Sequence, residues 1–283
     1  MAGSYWKQVL DRGLQVPTDR PLDDLTAELT AMLGSPDPAL RDDLAYPALG
    51  TWIDRGVYDD LLVGLGDGMA AGLQVGLGEH GTDSVFRRSF SVLVLATVIE
   101  RDTHELLLPA DQVLRWGDRI VTWLLRERDL RGHVPGKGWA HALAHGADAV
   151  ASLAGSRHFG VTELTVLLDV LADRIISADS ELLAGEPDRV ASAVMTVLRR
   201  NLVPTKVVQP WVARLAAHGN PYALRGESDP YRHTNNVQQL LRALYLQLAA
   251  APHPPADKAD LVLITVDALR ATNPFTLSRR EGT

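Results

Sequence analysis

Hydrophobic residues recur with a helical period along nearly the whole chain, and the alternation expected of β-strands is almost absent. This pattern restricts the fold to helices packed against helices, so the fold class is predicted to be all-α. Two short helices are expected before residue 35, near residues 4–12 and between Pro21 and Gly34. The main helices are predicted at residues 38–55, 58–77, 83–101, 110–127, 138–154, 161–177, 188–201, 206–218, 233–250 and 256–271.

The later helices group into hairpins that begin at regular intervals, near residues 83, 138, 188 and 233. The intervals are about 45 to 55 residues, close to the ~40–47 residues of HEAT-type units. An α-solenoid of HEAT-like helical hairpins is therefore predicted, and a closed α/α toroid is the alternative. Because no Pro-, Gly- or Ser-rich linker divides the chain, residues 1–283 are expected to form one helical-repeat domain. Residues 1–80 would cap it, and the tail 274–283 is expected to fray.

Composition argues against several functional classes. The formal net charge of −7 disfavours a nucleic-acid partner, which would require a basic surface. The absence of cysteine excludes disulfides, thiolate metal sites and thiol nucleophiles. Neither a signal peptide nor a membrane-spanning run of about 18 apolar residues is visible, so a cytoplasmic location without a membrane partner is expected.

Glycines recur every four residues at Gly64, Gly68, Gly72 and Gly76. The spacing does not match a dinucleotide-binding fingerprint, and no strand precedes it. Small residues at this interval give a helix one smooth face. The pattern therefore predicts close packing against a neighbouring helix.

A glycine-rich segment precedes the predicted 138–154 helix and contains Lys137 between Gly136 and Gly138. It has one residue too few for a Walker loop and lacks the following Ser or Thr. The remaining prediction places Lys137 at a helix N-terminus, where free N–H groups favour an anion. An ordinary turn with a solvated lysine explains the sequence equally well.

The 138–154 helix carries a polar stripe of His141, His145 and Asp148 opposite an apolar face, and Trp139 lies at its start. On a wheel of 100° per residue the three polar residues share an arc of about 60°. Two histidines one turn apart with a nearby carboxylate are typical of acid–base chemistry, and they are also compatible with a metal. Structural hydrogen bonding is the simpler explanation. Whether a metal binds is left open, because no fourth ligand is evident.

A second polar stripe follows on the 233–250 helix. Its candidate ligand-binding residues are His233, Asn235, Asn236 and Gln239. Amides are rarely buried without partners, since each unmet polar group costs about 1–3 kcal/mol. The two stripes are therefore expected to face one cleft, although two separate solvated faces remain the simpler interpretation.

The run Gly-Trp-Ala-His-Ala-Leu-Ala-His-Gly-Ala-Asp at residues 138–148 resembles the central signature of an uncharacterised bacterial family of unknown function. The resemblance extends over residues 80–270, including His-Thr-Asn-Asn at 233–236, and it implies a helical fold without an established activity. Gly-Trp-Ala-His is also similar to the zinc-binding helix of lanthionine cyclases. Their metal-binding cysteine is replaced by Ala140 here, so that chemistry is not transferred.

These observations together predict a binding protein that holds a small molecule or a peptide in a polar concave cleft. The expected ligand-binding residues are Lys137, Trp139, His141, His145, Asp148, His233, Asn235, Asn236 and Gln239. No cofactor is predicted, and the oligomeric state is left open. The alternatives are a metal-assisted or acid–base enzyme that uses His141, His145 and Asp148, and a scaffold for protein interactions.

Overall fold

The computed structural model describes residues 2–223 and 229–277, without the side chains of residues 2–4 and 233. The described residues form fourteen α-helices and one two-stranded hairpin, which confirms the all-α fold class. The helices are α1 (Ala2–Asp11), α2 (Leu22–Met32), α3 (Pro38–Leu40), α4 (Tyr46–Asp54), α5 (Leu62–Gly72), α6 (Ser84–Glu105), α7 (Ala110–Arg126), α8 (Ala142–Gly155), α9 (Val161–Ile176), α10 (Glu186–Arg199), α11 (Thr205–His218), α12 (Pro230–Ala250), α13 (Lys258–Thr272) and α14 (Pro274–Leu277).

Three predicted elements differ in detail from the observed ones. The 38–55 helix is divided by a π-helical turn over Arg41–Ala45, in which the Tyr46 N–H donates to the carbonyl oxygen of Arg41. The 58–77 helix becomes a short 3₁₀ turn followed by α5, which ends at Gly72. The start of the tail is ordered as α14, and residues 278–283 lie outside the described part.

A fourth difference concerns the predicted 138–154 helix, which begins only at Ala142. Residues before it form a hairpin of β1 (His133–Val134) and β2 (Gly138–Trp139). Helical periodicity did not reveal this hairpin, because each strand is only two residues long.

Contacts between α-carbons divide the chain into two compact units, Met1–Ser152 and Leu153–Thr283. In the first unit, α4 packs on both α2 and α6, while α5 packs on both α6 and α7. Four tryptophans fill its core, because large aromatic side chains bury the most apolar surface. They are Trp6, Trp52, Trp116 and Trp123.

The second unit repeats the same kind of contact. There, α11 packs on α9 and α13, and α12 packs on α10. Helix α12 begins at Pro230, three residues before the predicted start at residue 233. The Asp229 carboxylate accepts the Tyr231 N–H at 2.9 Å, and Pro230 occupies the first turn. In each unit, therefore, helices pack against the helix two positions further along the chain, as α4 does on α6 and α10 does on α12.

Several of the long-range hydrogen bonds in each unit join residues 52 to 56 apart in sequence. In the first unit the separations are 54, 56 and 52 residues, for Lys137–Asp83, His145–Ser89 and Ser152–Glu100. In the second unit they are 54, 55, 55 and 52 residues, for Leu182–Asn236, Ser192–Gln247, Asn201–Ala256 and Thr205–Asp257. This separation is close to the interval of 45 to 55 residues between the starts of the predicted hairpins. These hydrogen bonds therefore join residues at similar positions in neighbouring predicted hairpins.

The glycines of α5 divide into two groups, which corrects the prediction of a single packing stripe. A Cβ on Gly72 would lie 2.2 Å from Ser91 Oγ, so this glycine does allow close packing. Gly66, outside the predicted stripe, does so too, with Trp116 at 2.2 Å. In contrast, no atom lies within 4 Å of a Cβ built on Gly64 or Gly68.

Candidate functional site

The β1–β2 hairpin carries Trp139 to the surface of the first unit. The two strands are antiparallel, with His133 opposite Trp139 and Val134 opposite Gly138. The turn closes because the Lys137 N–H donates to the Val134 carbonyl oxygen at 3.0 Å. Short strands with a closed turn give the indole a defined backbone position.

His141 joins this hairpin to α8. Its N–H donates to the carbonyl oxygen of Arg131 at 3.1 Å, and its own carbonyl oxygen accepts the His145 N–H at 2.9 Å. The predicted helical position of His141 is therefore wrong, because its N–H is still paired with the other arm of the hairpin. Its φ of +49° is left-handed, a conformation that costs energy in a non-glycine residue and is often found at functional sites.

Five rings form a continuous row from the surface to the interior, here called the ring row: His133, Trp139, His141, His145 and Phe90. The Trp139 and His141 rings are stacked, with centroids 4.3 Å apart. His133 meets Trp139 edge-on at 5.0 Å, and His141 meets His145 edge-on at 5.8 Å. The row ends where His145 meets Phe90 at 5.0 Å.

Trp139 differs from every other tryptophan in the chain. Its side chain is 44% exposed, whereas each of the other five tryptophans is at most 5% exposed. An indole that stays exposed while its orientation is fixed by a stacked ring contributes little to the core. Such rings are typical of binding surfaces, where one face is offered to a partner.

His145 is fixed by α6. Its Nδ1 lies 3.2 Å from the carbonyl oxygen of Ser89, and a carbonyl can only accept a hydrogen bond. Nδ1 is therefore the protonated nitrogen, and the lone pair of the neutral ring is on Nε2. The residue is 9% exposed, so the polar stripe predicted for α8 turns toward the interior at this position.

A buried arginine lies beneath the hairpin. Arg41 donates through Nη1 to the Ser35 carbonyl oxygen at 2.6 Å, and through Nη2 to the Lys137 carbonyl oxygen at 2.7 Å. Nη2 also donates to Asp42 Oδ2 at 2.7 Å, and the guanidinium lies 4.9 Å from the centroid of Phe90. Arg41 thus links the turn of the hairpin to the inner end of the ring row.

Asp42 is the acidic neighbour of this arginine. Burial raises the pKa of its carboxyl above the ordinary value, and the Arg41 charge and hydrogen bond offset part of that effect. His141 also lies close enough to favour the ionised form of Asp42. A carboxylate therefore lies at the edge of the ring row.

The hairpin can approach Arg41 only because residue 138 is glycine. The φ of Gly138 is +77°, and a Cβ there would lie 3.1 Å from both Arg41 Nη2 and Pro38 Cβ. Both the backbone conformation and the available space therefore require glycine.

Lys137 does not lie at a helix N-terminus, which corrects the anion-site prediction. It occupies the hairpin turn, and its Nζ contacts Asp83 Oδ1 at 2.6 Å and Oδ2 at 2.8 Å. The Asp83 carboxylate therefore balances the positive charge of Lys137. An anionic ligand would have to compete with the Asp83 carboxylate.

Asp148 lies on α8 beyond the ring row and is half-buried. Ser152 Oγ, one turn further, lies 2.6 Å from Glu100 Oε1 and 3.1 Å from the Asp148 carbonyl oxygen, and it donates its single proton to the nearer carboxylate. Tyr46 lies nearby: burial raises the pKa of its phenol, and the charges of Glu100 and Asp148 act in the same direction. Asp148 therefore belongs to an acidic edge with a neutral tyrosine.

Sequence reasoning missed Arg41, Asp42, Tyr46 and Phe90. A signal was present for Arg41, which falls on the apolar face of the predicted 38–55 helix, in register with Leu44. A lone charge on an apolar helical face indicates a buried, specifically bonded group. For the other three residues no sequence pattern indicated proximity to the hairpin.

The remaining predicted residues lie on α12, in the second unit. Asn236 is buried, and its amide accepts the Leu182 N–H at 3.0 Å and donates to the Ser180 carbonyl oxygen at 2.9 Å. Asn235 lines a cavity of about 320 Å³, and Gln239 is half-buried. The side chain of His233 lies outside the described part.

Within residues 2–223 and 229–277, no group of three or more histidine, aspartate or glutamate side chains is arranged to hold a metal ion. None of the helices described there has the length and apolar character needed to cross a membrane.

The fold and site define an all-helical protein whose short hairpin presents one exposed tryptophan beside a row of histidines. The chain belongs to the family described as protein of unknown function (DUF2785), whose model matches residues 73–246. This match includes the hairpin and α8 but excludes Arg41 and Asp42. Neither a curated protein nor a solved structure matches the chain.

Proposed function

We propose that this chain is a ligand-binding helical-repeat protein, and that its first unit holds a small molecule or a peptide at Trp139. The observation that carries the proposal is the exposure of this indole among five buried ones. The ring stacked on His141 has a fixed orientation, so little conformational entropy is lost when a partner covers it. His141, His145 and Asp148 would serve as polar neighbours of the ligand.

The ligand class follows from the charges around Trp139. Lys137 is paired with Asp83, and Arg41 is buried and bonded to Asp42, so neither cation is presented alone. An indole face attracts a cation through its quadrupole, by about 0.5–1 kcal/mol at an exposed site. We therefore favour a cationic or planar group on the ligand, such as an arginine side chain of a peptide, over the anion that the sequence suggested.

The arrangement of the helices as HEAT-like repeats is also part of this proposal. Contacts between every second helix within each unit support stacked helical hairpins. The hydrogen bonds at separations of 52 to 56 residues support a repeat near the predicted 45–55 residues. We propose HEAT-like stacking for each unit by itself.

Peptide binding tests this function directly. The probes are three peptides, acetyl-Gly-Gly-X-Gly-Gly-amide with X as arginine, glutamate or phenylalanine, and the measurement is saturation-transfer NMR. We expect transfer to the arginine peptide, with a dissociation constant near 1 mM, which corresponds to about 4 kcal/mol. Trp139→Ala should reduce that transfer at least fivefold.

The matched control is Tyr245→Ala, which removes an aromatic side chain of similar exposure (38%) from the second unit. Binding should be unchanged in this variant. Equal transfer to the glutamate and arginine peptides would contradict the charge argument, and an unaffected Trp139→Ala variant would remove the proposed site.

An acid–base enzyme is the second candidate, and the left-handed φ of His141 favours it because strained residues cluster at active sites. His145 and Asp148 would then be its partners. Mass spectrometry of the incubated peptides separates the two functions: cleavage or modification would indicate the enzyme, and an intact peptide supports the binding protein. Scaffolding of another protein through the helical repeats is the third candidate.

A further inference from the structure

A groove in the first unit lies between α2 and α5, apart from the ring row. Its cavity of about 420 Å³ has the size of a small-molecule site. The α2 wall includes Thr26 and Thr30, and the α5 wall includes Leu65 and Met69. The groove falls within residues 23–69, before the segment that the family model matches.

Two glycines on α5 make this groove open. Gly64 and Gly68 line it one turn apart, and no atom lies within 4 Å of a Cβ built on either. Glycine weakens a helix relative to alanine, so a glycine normally needs a packing or conformational reason. Gly66 on the same helix has one, in Trp116. Gly64 and Gly68 lack this reason, and what their missing side chains provide is space in the groove.

Two hydroxyl groups of the groove, those of Thr26 and Tyr58, can only accept hydrogen bonds from a ligand. Thr26 Oγ1 lies 2.8 Å from the Leu22 carbonyl oxygen, which can only accept, so the threonine proton is used there. The 2.8 Å bond between Thr26 and Tyr58 must then have Tyr58 as its donor. Burial raises the pKa of Tyr58 to about 12, so this phenol stays protonated at neutral pH. Both hydroxyl groups therefore keep only lone pairs to offer.

The rim of the groove is acidic. Asp23 and Asp60 line its mouth, and neither forms an ion pair with another described residue. No lysine or arginine lines the cavity. The rest of the lining is predominantly aliphatic, including Leu61, Leu65 and Met69. The complementary ligand has an apolar body and a cationic group that donates hydrogen bonds.

We infer that the α2–α5 groove binds a small amphiphilic amine, with its aliphatic body against Gly64, Gly68 and Met69 and its ammonium between Asp23 and Asp60. This site is independent of the function proposed for Trp139.

Octylamine tests the inference, with octanoate and octanol as probes of the same length and different charge. The full-length chain is labelled at its methionine methyl groups, which gives four signals, one of them from Met69 in the groove and one from the buried Met195 of the second unit. Octylamine should shift the Met69 signal and leave that of Met195 in place. Octylamine should bind at least tenfold more tightly than octanoate, with octanol in between.

Two matched pairs of variants locate the ligand. Gly68→Leu fills the groove and should weaken octylamine binding at least tenfold, whereas Val63→Leu adds bulk to the same helix outside the groove and should not. Asp60→Asn should weaken it about threefold to tenfold and reduce its salt dependence, whereas Asp118→Asn on α7 should change neither.

Several outcomes would overturn the inference. Octanoate binding as tightly as octylamine would remove the role of the carboxylates. Unchanged binding to Gly68→Leu, in a variant whose circular dichroism matches that of the parent, would place the amine elsewhere. A Met69 signal that shifts with protein concentration alone would mean that a second copy of the chain covers the groove.

Discussion

At the scale of single residues, several charges of the first unit are held inside the fold by more than one partner. Arg88 and Glu127 are both fully buried and form a bidentate pair, with distances of 2.5 and 2.9 Å. The backbone N–H of Asp129 donates to the same glutamate at 2.9 Å. Such buried pairs add little net stability, but removal of one partner is costly because the other charge stays buried.

Asp129, next to this buried pair in the fold, contributes a pH-dependent part of the free energy of unfolding. Burial alone would raise the pKa of its carboxyl, but hydrogen bonds from Arg131 and from the Gly81 N–H outweigh burial, so the pKa lies below the ordinary value. A carboxyl with a lowered folded-state pKa stabilises the fold above the unfolded-state pKa of about 3.9. That stabilisation is lost as the pH falls through the folded-state value.

We expect Asp129→Asn to lower the free energy of unfolding by about 1.5–3 kcal/mol at pH 7, because hydrogen bonds to a buried charge are lost. Urea denaturation measured from pH 7 to pH 3 should show a constant gap to the parent above about pH 5, closing below about pH 4. Asp111→Asn is the control, since Asp111 is exposed to solvent, which screens its ion pair with the helical neighbour Arg115, and its gap should be much smaller. A gap for Asp129→Asn that is the same at pH 3 and pH 7 would contradict the argument.

At the scale of elements, the glycines of α5 show that the same residue type can serve different structural roles on one helix. Gly66 and Gly72 allow Trp116 and Ser91 to approach the backbone, whereas Gly64 and Gly68 face open space. The i, i+4 spacing that the sequence displays combines the two kinds. Only the neighbouring helices α6 and α7 distinguish them.

Alanine substitution should change the free energy of unfolding in opposite directions at the two kinds of glycine. Gly66→Ala would force its Cβ against the buried Trp116, and we expect a loss of about 1–3 kcal/mol in the free energy of unfolding. Gly64→Ala should instead stabilise by about 0.5–1 kcal/mol, because the helix gains propensity without a clash. Thermal and urea denaturation of both variants measure the difference. If both substitutions raised the free energy of unfolding by the same amount, helix propensity alone would explain their effects, and the contact with Trp116 would not matter.

At the scale of the whole molecule, several hydrogen bonds between residues 52 to 56 apart in sequence join helices within each unit. In the second unit Asn236 makes the most buried of these links, because its amide bonds to the backbone at both residue 180 and residue 182. Its neighbour Asn235 lies at a cavity instead. These two adjacent asparagines, both predicted to bind ligand, therefore have different surroundings.

Asn236→Ala should lower the free energy of unfolding by about 2–3 kcal/mol, since it leaves the buried Leu182 N–H without its acceptor. Asn235→Ala is the matched control and should change it by no more than about 0.5 kcal/mol. Urea denaturation followed by circular dichroism provides the measurement. If both variants lost the same free energy of unfolding, the hydrogen bonds of Asn236 would contribute no more to stability than the side chain of Asn235.

The sequence predicted proximity only between residues that are close along the chain. Trp139, His141 and His145 lie within seven residues, and the structure does bring their rings into contact. Arg41 is 96 residues from Lys137, and no local pattern predicts that its guanidinium lies under the hairpin. The partner of Lys137 was missed for the same reason, since Asp83 is 54 residues away.

The sequence by itself determined the helices, because helical periodicity and end signals such as Pro21 and Gly34 act within a few residues. It also determined that no thiol chemistry is possible. Only the tertiary structure decided that a hairpin precedes α8 and which glycines are packed. It alone identified the partners of Lys137 and Asn236 as well. The strands of the hairpin are too short to show a periodic pattern. The other features depend on contacts between residues distant in sequence or on the space left between helices, and spacing along one chain segment encodes neither.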